Sequence, residues 1–131
     1  PAGAASEPWL RQPAHWTALT IGKQRREAGS TLNLYRSALR LRRAEPDLGD
    51  GAMRWLPSPD SVIAFARGDR FVCMTNLSAS PVALPRDAVV LLASDDTPDA
   101  HLPPDVTAWL RLERPAASHV NPEEELEMTV R

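Results

Sequence analysis

Short apolar runs separated by turn residues are the feature that most restricts the fold of this chain. From residue 52 onward these runs are bounded by clusters of Pro, Gly, Asp and Ser, which is typical of β-strands joined by tight turns. Six such runs at regular spacing favour an antiparallel β-sandwich. Gly68-Asp69 predicts a two-residue hairpin turn, because glycine tolerates the positive φ that such turns require. The predicted strands are 52–56, 61–67, 70–77, 81–84, 88–93 and 106–113.

The predicted strands differ in how apolar and polar residues are distributed between their two faces. The strand 61–67 is apolar at both its even and its odd positions, as Ala64 and Phe65 illustrate. That pattern is typical of a strand at the centre of a sheet that is covered on both sides. The strand 106–113 instead alternates apolar with more polar residues, which predicts one wetter face, and Trp109 lies on that face.

Residues 30–44 form the clearest predicted helix, and it precedes the strands. Ser30 or Thr31 can accept a backbone N–H bond at its start, and Pro46 ends it. Residues 1–29 contain three prolines and three glycines and are expected to be irregular. The apolar stripe of the helix consists of Leu32, Tyr35 and Leu39, with an adjoining row of Leu34, Ala38 and Leu41.

The length of 131 residues suits one domain and is too short for a (β/α)8 barrel, which needs about 250 residues. The longest apolar run, 88–93, is far shorter than the ~18 residues of a transmembrane helix, so we expect no membrane partner. No basic segment followed by an apolar one opens the chain, so we expect no signal peptide and a cytoplasmic location. The first residue is Pro1 rather than Met, which indicates a processed, truncated or excised polypeptide.

Positive charge is concentrated in the first third of the chain. Residues 1–45 hold eight Lys and Arg against three Glu, whereas residues 46–131 hold seven Arg against fourteen Asp and Glu. A basic stretch is one signature of a nucleic-acid surface. Here the arginines share the predicted helix with its leucines, so a solvated helix face explains them, and we expect no nucleic-acid partner.

No set of residues in the sequence matches a catalytic or metal-binding motif. The three histidines are far apart, and no zinc-ligand spacing occurs. Cys73 lies among apolar residues of a predicted strand, which indicates a buried structural thiol, and as the only cysteine it cannot form an internal disulfide. The acidic cluster 95–99 lacks the spacing of a calcium loop and is interpreted as a solvated turn. We therefore expect no catalytic residue, no metal and no cofactor in this chain.

Two segments match the pattern of a known family in both order and spacing. The first is Pro8-Trp9-Leu10 with Gln12-Pro13, and the second runs from Ser30-Thr31-Leu32-Asn33-Leu34-Tyr35-Arg36 into Leu41-Arg42-Arg43. They resemble the C-terminal region of bacterial α-glucosidases of glycoside hydrolase family 13, in particular the oligo-1,6-glucosidase-like enzymes. Later segments resemble the β-sandwich of these enzymes, so that the resemblance covers roughly residues 8–112: they are 49–51, 64–67, 71–77 and 108–110.

The resemblance implies a division of the chain and a role for it. Residues 1–46 would be the tail end of a barrel domain, 51–113 a C-terminal β-sandwich domain, and 114–131 a flexible tail. The chain would be the non-catalytic portion of an enzyme that hydrolyses terminal α-glucosidic bonds of oligosaccharides, with the catalytic barrel as its partner. The catalytic Asp and Glu residues of the family lie on earlier barrel strands, so no catalytic residue is transferred to this chain. Arg11 and the stretch Ala14-His15-Trp16 depart from the family pattern.

Two tryptophans are candidate site residues. The resemblance implies that Trp9 borders the substrate entrance of the whole enzyme, and the alternative is that Trp9 only packs on the barrel rim. Trp109 is the candidate sugar-stacking residue if the chain is instead an autonomous carbohydrate-binding module. A third interpretation is a protein-interaction domain that uses the apolar stripe of the helix 30–44.

Overall fold

The structure is a computed structural model and describes residues 9–116. These residues belong to two compact units, Pro1–Arg36 and Ser37–Arg131, and each unit is described by itself. Residues 1–8 and 117–131 lie outside the described residues, and with them most of the predicted tail 114–131.

The first unit contains short helical elements where the sequence predicts an irregular segment. A 3₁₀ turn, Ala14–Leu19, is followed by a one-turn helix, α1, at Ile21–Gln24, and neither element contains a buried residue. The Gln24 Oε1 atom accepts the backbone N–H of Leu32 at 3.0 Å. This bond joins the short helix to the first turn of the next one.

Helix α2, Thr31–Ala44, confirms the predicted helix and begins one residue later. Ser30 rather than Thr31 provides its cap, because the Ser30 Oγ accepts the backbone N–H of Asn33 at 3.3 Å. The helix ends ahead of a 3₁₀ turn, Pro46–Leu48, whose first residue has no N–H to continue the ladder.

The apolar stripe predicted for α2 is exposed at two positions and half-buried at the other four, which are Leu32, Leu34, Ala38 and Leu41. Tyr35 is 65% and Leu39 53% exposed, and no residue of α2 is buried. A helix of this length derives most of its stability from packing rather than from propensity, and its half-buried leucines provide such packing. None of the helices in residues 9–116 has the length and apolar character that crossing a membrane requires.

The second unit is built on two antiparallel sheets, which confirms the predicted fold class. Five strands form the larger sheet in the order β1-β2-β3-β7-β5, and β4 pairs with β6 in a small second sheet. Strand β6 has only two residues and is not among the predicted strands. The strands are β1 Met53–Trp55, β2 Val62–Arg67, β3 Phe71–Asn76, β4 Val82–Ala83, β5 Ala88–Ala93, β6 His101–Leu102 and β7 Thr107–Leu112.

The β2–β3 hairpin turns at Gly68, as predicted, but its connection is longer than predicted. Arg67 pairs with Phe71, so three residues, 68–70, connect the strands rather than two. Gly68 has a φ of +57°, a conformation that favours glycine. The third residue is accommodated because the Asp47 Oδ2 accepts the N–H groups of residues 70 and 71, at 2.9 and 3.1 Å.

One face of the larger sheet forms the hydrophobic core, and the small sheet lies among the elements that pack against it. Leu102 of β6 and Leu84, just after β4, join the side chains of the larger sheet in one buried cluster. Asn76, which is fully buried, connects the two layers because its Nδ2 donates to the carbonyl oxygens of Leu102 and Ser80. The buried core residues are Val62, Ala64, Ala66, Val72, Met74, Leu84, Leu102, Val106, Ala108, Leu110, Leu112 and Ala116.

Strand β2 corrects one prediction about burial. It lies inside the sheet, between β1 and β3, as predicted for a central strand. Val62, Ala64 and Ala66 are buried in the core, but Ile63 is exposed and Phe65 only partly buried. The prediction that β2 is covered on both sides is therefore wrong for residues 9–116, in which Ile63 is 42% exposed.

Candidate functional site

The face of the larger sheet opposite the core carries a row of four neighbouring side chains. In the strand registers Trp55 lies opposite Phe65, Phe65 opposite Cys73, and Cys73 opposite Trp109. Residues that oppose one another on adjacent antiparallel strands project from the same face of a sheet. We call this surface the aromatic face, and it consists of Met53, Trp55, Ile63, Phe65, Phe71, Cys73 and Trp109.

Two edge-to-face ring contacts join the aromatic side chains of this face in pairs. The ring centroids of Trp55 and Phe65 are 5.8 Å apart at an interplanar angle of 80°. Those of Phe71 and Trp109 are 5.6 Å apart at 72°. Both contacts have the edge-to-face geometry that aromatic quadrupoles prefer.

The aromatic face is exposed on the side of strands β1 and β2. Trp55 is 68%, Met53 50% and Ile63 42% exposed, whereas Phe71 and Cys73, nearer the middle of the sheet, are buried. The sequence interpretation did not select Trp55 or Ile63 as site residues. The apolar pattern on both faces of β2 was the signal for Ile63, since it predicted a cover over this residue that the described residues of the second unit do not supply.

The arginines of this face are already bonded. Arg67 donates from Nε to the carbonyl oxygen of Gly51 and from Nη2 to that of Gly49, at 2.8 and 3.0 Å. Arg111 forms an ion pair with Glu45, a buried carboxylate that directly follows α2. Because both guanidinium groups have acceptors, the exposed part of the aromatic face is mainly apolar in chemical character.

Cys73 lies in the centre of the aromatic row, between Phe65 and Trp109. It is 7% exposed, in agreement with the predicted structural role. Burial raises the pKa of the Cys73 thiol from 9.0 to about 11, although a hydrogen bond with the Trp109 side chain acts in the opposite direction. The thiol is therefore protonated at neutral pH and is a poor nucleophile.

The two predicted site residues lie in different compact units. Trp9 belongs to the first unit and is 96% exposed. Trp109 belongs to the second unit, where it is partly buried and packed on Phe71. Neither substrate contact for Trp9 nor sugar stacking for Trp109 is tested by these positions, and both roles stay predictions.

The carboxylates of residues 9–116 that are not exposed each take part in the architecture. Glu45 is paired with Arg111, and Asp47 accepts two N–H groups of the β2–β3 hairpin. Asp87 is 3.7 Å from the guanidinium of Arg114. These three carboxylates therefore hold elements together, and none is arranged with another as a general acid and base.

The histidines do not form a site in the described part of the chain. His15 is exposed, and the exposed His101 has its Nδ1 2.8 Å from the carbonyl oxygen of Asp99. His119 lies outside the described residues. Among residues 9–116 no group of three or more His, Cys, Asp or Glu side chains is placed to hold a metal ion.

A small cavity of about 130 Å³ lies on the core side of the sheet. Its walls are mainly apolar and include Leu56, Val72, Met74 and Leu112. Ligand pockets usually have volumes of about 300–1,000 Å³ and include a few convergent polar groups. The cavity is therefore a packing gap at the rim of the core, and the aromatic face is the stronger candidate for a functional surface.

The fold is similar to part of the fold of several solved enzymes. An isomaltulose synthase from Klebsiella sp. LX3 matches with a TM-score of 0.67 and 21% identity over 83% of this chain and 22% of that chain. A trehalulose synthase from Pseudomonas mesoacidophila MX-45 matches with a TM-score of 0.64 and 23% identity, over 82% and 22%. A trehalose-6-phosphate hydrolase from Bacillus licheniformis matches with a TM-score of 0.65 and 18% identity, over 82% and 23%. The fold thus matches a C-terminal β-domain of the kind found in glycoside hydrolase family 13 enzymes.

The sequence family agrees with this class. Residues 40–109 match the family described as "Domain of unknown function (DUF3459)", and the chain belongs to that family. The resemblance to the C-terminal region of glycoside hydrolase family 13 enzymes is thereby confirmed. No curated protein sequence matches the chain. The chain spans about one fifth of the length of the solved enzymes that it matches.

Proposed function

We propose that the chain is the C-terminal, non-catalytic portion of an α-glucosidase and that it stabilises the catalytic barrel of that enzyme. Membership of the DUF3459 family, together with a fold that accounts for about one fifth of the matching enzymes, carries the proposal. In this proposal residues 1–46 are the tail end of the barrel domain and residues 51–113 are the C-terminal domain. The chain supplies packing, and the reacting groups are on the barrel.

The enzyme as a whole would hydrolyse terminal α-glucosidic bonds of short oligosaccharides in the cytoplasm. The matching structures support a sugar substrate in general, since their names include synthases of isomaltulose and trehalulose and a hydrolase of trehalose-6-phosphate. The oligosaccharide would reach the barrel rather than this chain. Trp9, exposed in the first unit, would border the entrance to the substrate site.

Glucose release from a chromogenic α-glucoside tests this proposal. The complete gene product that contains the chain should release glucose, and the 131-residue chain alone should release none, because its buried carboxylates already hold structural elements. Turnover by the chain alone that is abolished when one of its own carboxylates is changed to the amide would overturn the proposal. A complete gene product that is folded but inactive on every α-glucoside would also count against it.

An autonomous carbohydrate-binding module is the second candidate function, and one observation favours it. Trp55 presents a largely exposed ring that contacts Phe65 edge to face, whereas Trp109 is partly buried. Titration of the chain with maltose or isomaltose, followed by tryptophan fluorescence, separates the two functions. A saturable shift that is absent in Trp55→Ala would support the module, and no shift at millimolar sugar would remove it.

A further inference from the structure

We propose that the acidic segment 122–128 of this chain docks on the second half of helix α2. The docking surface, which we call the basic face, consists of Leu39, Arg40, Arg42 and Arg43. The inference is independent of the proposed function, because the surface and its occupant both belong to this chain. It gives a docking place to part of the tail 114–131, which the sequence predicts to be flexible.

The first argument is the positive charge of α2, which the described residues leave unpaired. Arg40, Arg42 and Arg43 are exposed and lie within a single turn of the helix. Like charges that are three or four residues apart on a helix repel one another. The ion pairs within residues 9–116 use Arg111 and Arg114, and no arginine of α2 pairs with a carboxylate in that range. An anionic partner on the basic face would therefore relieve repulsion within the helix.

The second argument is the composition of the segment. Residues 123–127 consist of four glutamates and one leucine, Leu126. The basic face likewise combines charge with an apolar side chain, because Leu39 is 53% exposed. A guanidinium can hold a carboxylate through two parallel N–H bonds, which makes it the cation best suited to glutamate. The segment and the face are thus opposite in charge, and each contributes a leucine to the contact.

The third argument is the place where the described chain ends. One peptide group of the β2–β3 turn, between Asp69 and Arg70, connects residue 116 with the segment after α2. Its carbonyl oxygen accepts the N–H of Ala116 at 2.7 Å, and its N–H donates to the Asp47 Oδ2 at 2.9 Å. Asp47 follows the last residue of α2, Ala44, by three positions. Residue 116 therefore lies near the end of the helix that carries the basic face.

The fourth argument is the length of chain between residue 116 and the glutamates. Glu123 follows residue 116 by seven positions, which span at most about 25 Å when extended. Arg43 precedes Asp47 by four positions, which span at most about 14 Å, and Arg40 lies about 5 Å further along the helix. The glutamates are therefore within reach of the arginines. A short tether also gives the segment an effective concentration of about millimolar at the face, an advantage that a separate molecule does not have.

Carbodiimide cross-linking of the complete gene product, read by mass spectrometry, tests the inference. The reagent couples a lysine amine to a carboxylate in direct contact with it, so Arg43→Lys keeps the charge and makes the proposed contact detectable. We expect a cross-linked peptide pair that joins residue 43 to residues 123–127. Its yield should fall several-fold in 1 M salt, where the Debye length is about 3 Å.

Arg70→Lys is the matched control for this experiment. Arg70 is exposed and lies beside the peptide group that binds Ala116, so the start of the tail is close to it. Coupling that reflects only the proximity of the tail would therefore favour Arg70→Lys, whereas docking predicts a several-fold higher yield for Arg43→Lys. Equal yields for the two variants, or no coupling of residue 43 to 123–127, would overturn the inference.

Two other occupants of the basic face would be recognised in the same experiment. A mixture of isotopically labelled and unlabelled protein would give cross-linked pairs of mixed composition if the segment came from a second copy. Coupling of Arg43→Lys to carboxylates elsewhere, in place of 123–127, would identify a different acidic partner. Either result would overturn the assignment to this segment.

Charge reversal in the segment provides a second readout, which leaves the sequence of α2 intact. Glu124→Arg combined with Glu125→Arg should make the backbone amides of residues 37–44 exchange with deuterium several-fold faster, because the helix loses its cover. Asp95→Arg combined with Asp96→Arg changes the net charge equally at exposed positions outside the segment and should leave this exchange unchanged. Equal effects of the two pairs would count against docking.

Reversal of both sides completes the test. Arg40→Glu combined with Arg43→Glu reverses the basic face, and adding Glu124→Arg with Glu125→Arg restores opposite charges across the contact. Exchange of residues 37–44 in the combined variant should be slower than in the variant with only the face reversed. Exchange that is faster still would contradict a contact between the segment and the face.

Discussion

At the scale of single residues, we expect the ion pair of Glu45 and Arg111 to contribute measurably to the stability of the chain. The two residues are distant in sequence, and the carboxylate is buried while the arginine side chain is about half exposed. A buried carboxylate that loses its cation keeps the full penalty of desolvation, whereas the exposed side of the pair is screened by water.

Arg111→Met is therefore expected to lower the free energy of unfolding by about 2 kcal/mol, as measured by urea unfolding of the chain. Arg114→Met is the matched control. Arg114 is 75% exposed and 3.7 Å from Asp87, so its loss should cost less than about 0.5 kcal/mol. Adding Glu45→Gln to Arg111→Met should recover part of the loss, and equal costs for Arg111→Met and Arg114→Met would contradict this account of the pair.

Cys73 gives the chain a predictable dependence on alkaline pH. Burial raises the pKa of Cys73 to about 11, so above its unfolded value of 9.0 the unfolded chain releases this proton before the folded chain does. The unfolded state then binds fewer protons, and stability falls as pH rises from about 9 towards 11. Below the unfolded pKa the thiol makes no pH-dependent contribution.

The urea midpoint of the chain should accordingly decline between pH 9 and 11 more steeply than that of Cys73→Ala. Other groups that titrate in this range affect both proteins alike, so the difference between the two slopes isolates the thiol. Identical slopes would show that the environment of Cys73 does not disfavour the thiolate.

At the scale of elements, the β2–β3 hairpin depends on one glycine and one carboxylate. A Cβ atom at Gly68 would lie 2.4 Å from the Asp47 Oδ1, and the φ of +57° is unfavourable for any other residue. Asp47 cannot retreat freely, because it accepts the N–H groups of residues 70 and 71. The turn and the segment after α2 therefore stabilise each other.

Gly68→Ala is expected to destabilise the chain by about 1–3 kcal/mol, through strain and the displaced carboxylate. Gly22→Ala is the control, since no atom lies within 4 Å of a Cβ there and the residue is inside a helix, so its effect should be neutral or slightly stabilising. In an Asp47→Ala background Gly68→Ala should cost less than in the native chain. Additive losses in a double-mutant cycle would contradict the coupling.

The elements also show how far the sequence alone could predict this fold. The alternation of side chains and the turn residues correctly predicted the positions of β2, β3, β5 and β7. Ser30 and Pro46 correctly predicted where α2 begins and ends. Strand β6 was not predicted because a strand of two residues is too short to show an alternation of apolar and polar side chains. The three-residue hairpin escaped because it depends on Asp47, more than twenty residues away along the chain, and local turn rules do not contain such a partner.

The candidate site was less predictable than the fold. The exposure of a tryptophan depends on which residues cover its ring in the folded chain, and the sequence does not show these contacts. The sequence therefore selected Trp9 and Trp109 as candidates but could not show that the ring of Trp55 is more exposed than that of Trp109. The pattern of β2 did predict that both of its faces have partners. Among the described residues the core covers one face of β2, and on the other face Ile63 is exposed and Phe65 is partly buried.

At the scale of the whole molecule, the family and the fold place the chain in the C-terminal region of glycoside hydrolase family 13 enzymes. The three carboxylates of residues 9–116 that are not exposed, Glu45, Asp47 and Asp87, take part in the architecture of the second unit.

The central claim is tested most directly by the intact mass of the native gene product. The product is captured from cells with an antibody against this chain, and its intact mass and its peptides are measured by mass spectrometry. The account predicts a polypeptide several times heavier than the 14.4 kDa of this chain, with peptides from a (β/α)8 barrel that carries the catalytic Asp and Glu. A native product of 14.4 kDa, with no further sequence and with glucosidase activity of its own, would contradict it.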